Sequence, residues 1–383
     1  MKKTQVFEII FFVVATFAMI GMFLYGTNHH VAFGRSLTGN QYFWRGRVVE
    51  VISDTSSPND MGVYVGFQEL VVELLEGPRG GETIEVFNSL MVGGHGVVGA
   101  VDLTLIVAVE EIPDTDILIA RVFSHHRSTS IYVVILSFIG LLGLIFGKNG
   151  LRSAFSLIFT FITIVFFLVP LSFAFARPAF MTLIAAVLIT VVTLISVMGL
   201  NKKTLISTIG TFTGIVCYCL LYLLISALLK VSGMDGSGVS MLTMMDVQNY
   251  IQINELLFSS ILIASLGAIM DVPVSLSTAI FELHKSNPTL TRTDLFKAGM
   301  QIGKDLIGST ANTLILAFTG VFFTTIFFIR FSETPFNMFI NGSDIAIEVL
   351  RAVSAASAMA LTAPATAIIA AYYFTRKNKV MLE

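Results

Sequence analysis

Residues 256–283 read LLFSSILIASLGAIMDVPVSLSTAIFEL, a run of twenty-eight in which only Asp271 and Glu282 are charged. A helix needs about 20 mostly apolar residues to cross a hydrocarbon layer of roughly 30 Å. This stretch is therefore long enough to span a membrane while carrying a carboxylate near its middle. Seven further stretches have the same apolar character: 6–25, 131–147, 151–170, 179–200, 204–229, 310–329 and 352–374. The chain reads as an α-helical polytopic membrane protein with about eight transmembrane helices. The first span follows Lys2 and Lys3 as a signal peptide would, but its apolar run is too long and no A-x-A-like site follows, so residues 1–26 read as an uncleaved anchor.

Composition points the same way. Of the 383 residues 55% are hydrophobic and 13% charged, with a mean hydropathy of +0.84, whereas soluble domains are roughly a quarter charged. An ordinary soluble domain is excluded, and so is a disordered chain. The formal net charge of −2 supplies no basic field to neutralise phosphates, so nucleic acid is not expected as a partner. The only cysteines, Cys217 and Cys219, lie two residues apart in an apolar run and fit neither a disulfide framework nor a metal motif. Neither a G-x-x-x-x-G-K-[ST] nucleotide loop nor an H-E-x-x-H zinc motif occurs. No cofactor is implied, and the lipid bilayer is the first partner.

Short loops rich in Lys and Arg stay in the cytoplasm. With the N-terminus inside, thirteen of the 23 basic residues fall on the cytoplasmic side: Lys2, Lys3, Lys148, Arg152, Lys202, Lys203, Lys285, Arg292, Lys297, Lys304, Arg376, Lys377 and Lys379. The opposite short loops hold only Arg177, Lys230, Arg330 and Arg351. Six arginines remain, all in the long segment between the first two spans, and long segments cross largely regardless of charge. Both termini, including the tail at 376–383, are expected in the cytoplasm.

Inside that long segment the pattern changes over residues 41–125 to short β-type runs broken by Gly, Pro and Asp. Strand candidates are 47–53 (RVVEVIS), 68–75 (QELVVELL), 83–88 (TIEVFN), 103–109 (LTLIVAV) and 117–123 (ILIARVF), with turn signals such as Gly77-Pro78-Arg79-Gly80-Gly81 between them. They predict a small extracytoplasmic all-β domain, an OB-like barrel, inserted between helices 1 and 2. The segment carries thirteen Asp or Glu against six Arg, an ordinary solubility device. His95, set among Gly93, Gly94 and Gly96, and the pair His125-His126 lack metal-ligand spacing and read as loop and juxtamembrane residues. Residues 131–375 then form a seven-helix bundle.

A charged or strongly polar side chain at membrane depth is costly, so it marks a partner, a wet cavity or a function. Asp271 is the clearest case. Helical spacing puts Ser260, Ala264, Gly267, Asp271, Ser275, Thr278 and Glu282 on one small and polar face. Pro273 has no N–H and clashes with the preceding turn, so it predicts a hinge, kinked or broken beside Asp271, that frees the carbonyl of Ile269. A carboxylate beside a freed carbonyl suits a cation or proton, and discontinuous helices build the midplane sites of many transporters. Asp271, Ser275, Thr278 and Glu282 are accordingly candidate substrate- or ion-binding residues.

A second cluster, GMQIGKDLIGSTANT at 299–313, holds Gly299 and Gly303 as a small-xxx-small pair for close helix approach, with Gly308 adding to the packing signal. Asp305, Ser309 and Asn312 share one face of it, and Asp305 and Asn312 join the candidate binding residues. In residues 352–371, fourteen of twenty are Ala, Ser or Thr, with Pro364 in the middle, the composition of a tightly packed or pore-lining helix. Gly210-xxx-Gly214 and Gly143-xxx-Gly147 are packing signals of low specificity. Asn254, Glu255 and Arg177 are placed to flank an entrance.

The runs GAIMDV at 267–272 and IGKDLIGSTANTL at 302–314, within residues 265–318, resemble the YibE/F family of bacterial multipass membrane proteins. An N-terminal anchor, an extracytoplasmic β-rich region and a helical bundle are similar to that family's architecture. Pro273 and Lys304 stand where a small residue and an arginine are more usual in it. The resemblance implies a bacterial cell membrane and gives no substrate.

Three readings follow. The first is a secondary transporter or permease for a small solute or cation, with Asp271 as the coupling or binding carboxylate. The second is a non-transporting scaffold or sensor whose extracytoplasmic domain binds a protein partner. The remote third is an intramembrane aspartyl protease using Asp271 and Asp305, for which the Tyr-Asp and Gly-x-Gly-Asp contexts are missing; an enzyme is not expected.

Overall fold

Val48, Leu70, Val72, Leu105, Val107 and Val109 point to one face of their strands, and none of the six is exposed. They form the core of the smaller of two compact units, residues 30–144, in a computed structural model that describes residues 3–28, 41–60, 62–90, 97–111, 118–234 and 251–380. Its strands are β1 (Gln41–Asp54), β2 (Ser57–Pro58), β3 (Tyr64–Leu74), β4 (Thr83–Leu90), β5 (Thr104–Glu111) and β6 (Leu118–His125). The five long strands close into a small barrel in the order β1–β3–β4–β6–β5–β1, antiparallel except where β4 meets β6. β1 serves both neighbours, and two register shifts against β3, at Val48/Glu50 and Val51/Ser53, let it bend around the barrel.

All five expected strands are present. The first begins six residues earlier than expected because Tyr42, Phe43 and Trp44 pair with Val109, Ala108 and Val107. β2 was not legible, since Pro58 argues against a strand; two residues suffice to pair it with Val65 and Tyr64 at an edge. Inside the barrel, Gln68 and Asn88 are almost fully buried and satisfy each other. Asn88 Nδ2 donates to Gln68 Oε1 (2.9 Å) and to the Val97 carbonyl (2.7 Å), while Gly99 N donates to Gln68 Oε1 (2.8 Å) and Gln68 Nε2 to Asp54 Oδ2 (2.8 Å). These bonds hold residues 97–99 against the strands. Hydrogen bonds from Ser56 and Gln68 keep the Asp54 carboxyl below the usual carboxylate range. His95 and its flanking glycines lie outside the described residues.

Only His126 and Arg127 separate β6 from the next helix. His126 N donates to the Thr104 carbonyl (3.3 Å), and the Arg127 carbonyl accepts from Ile131 N (2.9 Å), so the connection is hydrogen-bonded at both ends.

The larger unit comprises residues 1–29 and 145–383. Its helices are α1 (Lys3–Asn28), the second half of α2 (Ser128–Ile162), α3 (Val169–Phe175), α4 (Pro178–Met198), α5 (Lys202–Leu229), α6 (Asn254–Ser286), α7 (Arg292–Phe331), a short α8 (Phe336–Ile340) and α9 (Ser343–Val380). A π-helical stretch, Thr163–Leu168, joins α2 to α3 just before Pro170, whose ring would crowd a tighter turn.

Among the described residues seven helical runs, rather than the expected eight, are long and apolar enough to cross a membrane. The difference is Ser128–Phe175, which unites the stretches 131–147 and 151–170 in 48 residues. At 1.5 Å per residue such a run is about 70 Å long, more than twice a hydrocarbon layer. It is interrupted at Gly147, where φ 56° and ψ −132° leave helical geometry in a conformation that glycine tolerates.

α9 packs along α5, α6 and α7, and α5 also lies on α6. Small residues set that closeness. A Cβ at Gly214 would stand 2.5 Å from Thr362 Oγ1 and 2.6 Å from Ile269 Cγ2, so α5, α6 and α9 meet where only glycine fits.

Candidate functional site

α6 runs as one helix through Pro273, so of the two expected outcomes, a kink or a break beside Asp271, the break is absent. Pro273 is buried against Gly210 of α5, where an added Cβ would lie 3.1 Å from Pro273 Cβ. Ser207 Oγ donates to the Pro273 carbonyl (3.2 Å) and shares a hydrogen bond with Ser277 Oγ (2.6 Å). Neither bond reaches the Ile269 carbonyl, the acceptor that a proline at 273 leaves without its helical donor.

The face of α6 picked out by spacing points away from this interior. Ser260, Ala264, Gly267, Asp271, Ser275 and Glu282 are exposed and Thr278 is half-buried, while Ile269, Val272, Leu276 and Ile280 on the other side are fully buried. Nothing stands within 4 Å of a Cβ built on Gly267. Asp271 makes no hydrogen bond or ion pair with any described residue. Glu282 differs: Lys203 Nζ donates to its Oε1 at 2.6 Å and also lies 4.3 Å from the Phe281 ring centroid, an ion pair that ties α5 to α6 near the end of the span.

On α7 the glycines divide. Gly299 and Gly303 are buried against neighbouring helices, a Cβ at Gly303 falling 3.3 Å from Ala363 Cβ and one at Gly299 2.7 Å from Ile280 Cδ1. Gly308 faces open space, and Asp305, Ser309 and Asn312 are exposed beside it. No described residue hydrogen-bonds to the side chain of Asp305 or Asn312.

The antiparallel contacts fix relative depth. Gly299 meets Ile280, and Ala268 packs into the cluster of Leu314 and Phe318. Asp271 is three residues from Ala268 and therefore level with the turn of α7 around Asn312. Both sit near the middle of their helices, α6 at Asn254–Ser286 and α7 at Arg292–Phe331. Two polar stripes thus run at mid-helix, each on the side of its helix opposite the packed core, and among the described residues Asp271, Asp305 and Asn312 have no side-chain hydrogen-bond partner.

Pro364 is half-buried within the unbroken α9, and Thr362 and Thr366 beside it are fully buried, each donating to the carbonyl four residues back (2.8 Å). Glu255 caps the start of α4, its Oε2 accepting from Ala179 N at 2.9 Å. Sequence reading missed two features. The Ser207–Ser277 pair was hidden because isolated serines in apolar runs carry no pattern. Arg351, assigned to an outer loop, lies within α9, where it pairs with Glu348 (2.9 Å) one helical turn earlier and stacks 5.9 Å from Phe318; an i,i+3 spacing could have signalled it. Among the described residues no group of three or more His, Cys, Asp or Glu is placed to hold a metal ion.

The family described as YibE/F-like protein matches residues 134–376, which contain both stripes and exclude the barrel. No curated protein and no solved structure matches the chain.

Proposed function

Because the chain belongs to the YibE/F family, and the matched residues hold, midway along a long apolar helix, a carboxylate without a partner among the described residues, we propose that it is a secondary transporter or permease of the bacterial cytoplasmic membrane. Asp271 is the substrate- or ion-binding carboxylate, with Asn312, Asp305 and Ser275 as polar groups along its path and a small solute or cation as cargo. The single observation that supports this reading is that Asp271 and Asn312 stand level, at mid-helix, with no partner among the described residues. A lipid-facing site would be apolar, and an intramembrane ionisable group is a functional site by default. The Lys and Arg distribution supports cytoplasmic termini, with the barrel outside.

The test is a thermal-stability screen of the purified protein against cations, amino acids, sugars and small anions, with Asp271→Asn in parallel. A ligand that binds only the folded state raises the melting temperature, by about 2.7 kcal/mol of stability at a hundred times its Kd. The expected result is a ligand that stabilises the wild type and not Asp271→Asn; a ligand that stabilises both equally removes Asp271 from the site.

The scaffold or sensor reading is favoured by one feature of the barrel, whose connections follow the OB pattern. Phe67 and Phe87 are 48% and 50% exposed with ring centroids 5.4 Å apart, and Phe43 and Phe123 are 46% and 39% exposed with centroids 4.9 Å apart. Such an aromatic surface suits a protein partner. On this reading function survives Asp271→Asn and fails when residues 41–125 are deleted.

A further inference from the structure

Exposed faces of this bundle fall into two kinds. Leu220, Leu223 and Leu228 of α5 are 65%, 63% and 72% exposed, as a surface against lipid tails should be. The α6 and α7 stripes are exposed as well, yet they present Asp271, Ser275, Gly308 and Asn312. Lipid cannot hydrogen-bond these groups, so another surface that can must cover them.

The two stripes are complementary to each other. α6 offers an acceptor, the Asp271 carboxylate, and α7 offers a donor, the Asn312 amide, at the same depth. Each stripe also has a notch: nothing lies within 4 Å of a Cβ built on Gly267 or Gly308, and small residues are what let membrane helices approach closely. Within one chain both stripes point away from the core, so they do not satisfy each other. Two copies related by a two-fold axis along the membrane normal keep every residue at its own depth and bring α6 of each onto α7 of the other, because an isologous contact pairs residue i with j and j with i.

We infer that two copies of this chain pair through these stripes, the Asn312 amide of each donating to the Asp271 carboxylate of the other. This builds on the proposed site at Asp271 and adds that the site is complete only in the dimer. The partner copy both supplies the hydrogen-bond donor and shields the carboxylate from lipid.

The experiment is cross-linking of the full chain in its native membrane. Cys217 and Cys219 are first replaced by Ser, then Ser275→Cys and Gly308→Cys are introduced together, with Leu220→Cys alone as the lipid-facing control. Mild oxidation is expected to give a species at twice the 41.7 kDa of one chain from the Ser275→Cys/Gly308→Cys protein and not from the control. The detergent-purified wild type should have the mass of two copies, and Gly308→Phe should shift it to one. A wild type with the mass of a single copy, and no cross-link from the cysteine pair, overturns the inference even if Gly308→Phe fails to fold. A cross-link equally strong from Leu220→Cys also overturns it. The outcome separates from that of the ligand screen: a single copy whose ligand binding depends on Asp271 keeps the transporter reading and removes the dimer, whereas a dimer without such binding does the reverse.

Discussion

Ser207 of α5 and Ser277 of α6 share a 2.6 Å hydrogen bond between side chains that are both fully buried, and Ser207 Oγ also lies 3.2 Å from the Pro273 carbonyl. The one proline of α6 is therefore clasped from inside the bundle, two residues from an Asp that points out of it. The polar groups of this helix serve two purposes on two sides: a closed hydrogen-bonded joint at the core and an open stripe at the surface.

Ser207→Ala removes the joint. Ser277 keeps its bond to the Val274 carbonyl (3.2 Å), so the loss is that of one buried hydrogen bond, about 1 kcal/mol. A lower melting temperature of the purified protein is expected, and the double change with Ser277→Ala should cost less than the sum of the single changes, because the two side chains share one interaction. Strict additivity would show that the pair is not coupled.

Glycines should differ sharply by position. Gly214→Leu drives a side chain into Thr362 and Ile269, an overpacking that costs about 1–3 kcal/mol or more. Gly308→Ala meets nothing within 4 Å and replaces a flexible helix-interior residue, so stability should hold or rise by about 0.5–1 kcal/mol. Melting curves of the two variants, which should move in opposite directions or differ by several degrees, check this.

The barrel has its own reporter. Trp44 is the only tryptophan of the chain and is 8% exposed, so its fluorescence follows the unfolding of that unit in the intact protein. Asn88→Leu leaves the Val97 carbonyl without its side-chain donor inside the barrel, while Gln68 Oε1 keeps its bond from Gly99 N. Unsatisfied buried groups cost about 1–3 kcal/mol, and the Trp44 transition should move to lower denaturant accordingly.

Acid should loosen the same unit. The Asp54 carboxyl is held below its ordinary value by bonds from Ser56 and Gln68. A group whose folded pKa is depressed stabilises the fold above its unfolded value, about 3.9, and loses that contribution as pH falls through the folded value. The Trp44-monitored stability should therefore fall as the pH drops below about 4, and Asp54→Asn should flatten that part of the profile.

Much of this architecture could be read from residue order, for identifiable reasons. Apolar runs such as 204–229 announce themselves by length alone, and the barrel strands by alternation, as in Leu70, Val72 and Leu74. Asp271 stood out because a charge in such a run is costly and calls for a partner, a wet cavity or a function. What could not be read was which way each polar residue faces. Gly299 and Gly308 look alike in sequence, yet one is buried on α6 and α9 and the other is open, because that choice depends on which helix arrives beside them. Pro273 belongs here too: a kink or a break was expected from local geometry, the break is absent, and the Gly210 and Ser207 that pack on it are more than sixty residues away.

The connection between the barrel and α2 has a mechanical corollary. With two residues between Leu118–His125 and Ser128–Ile162, and with His126 and Arg127 both engaged in backbone hydrogen bonds, the chain leaving the sheet has no slack to absorb torque. A partner that turned the barrel would twist the first turns of α2 with it, as a key turns a shaft, until the run reaches Gly147, the one place along it where the helical winding is interrupted.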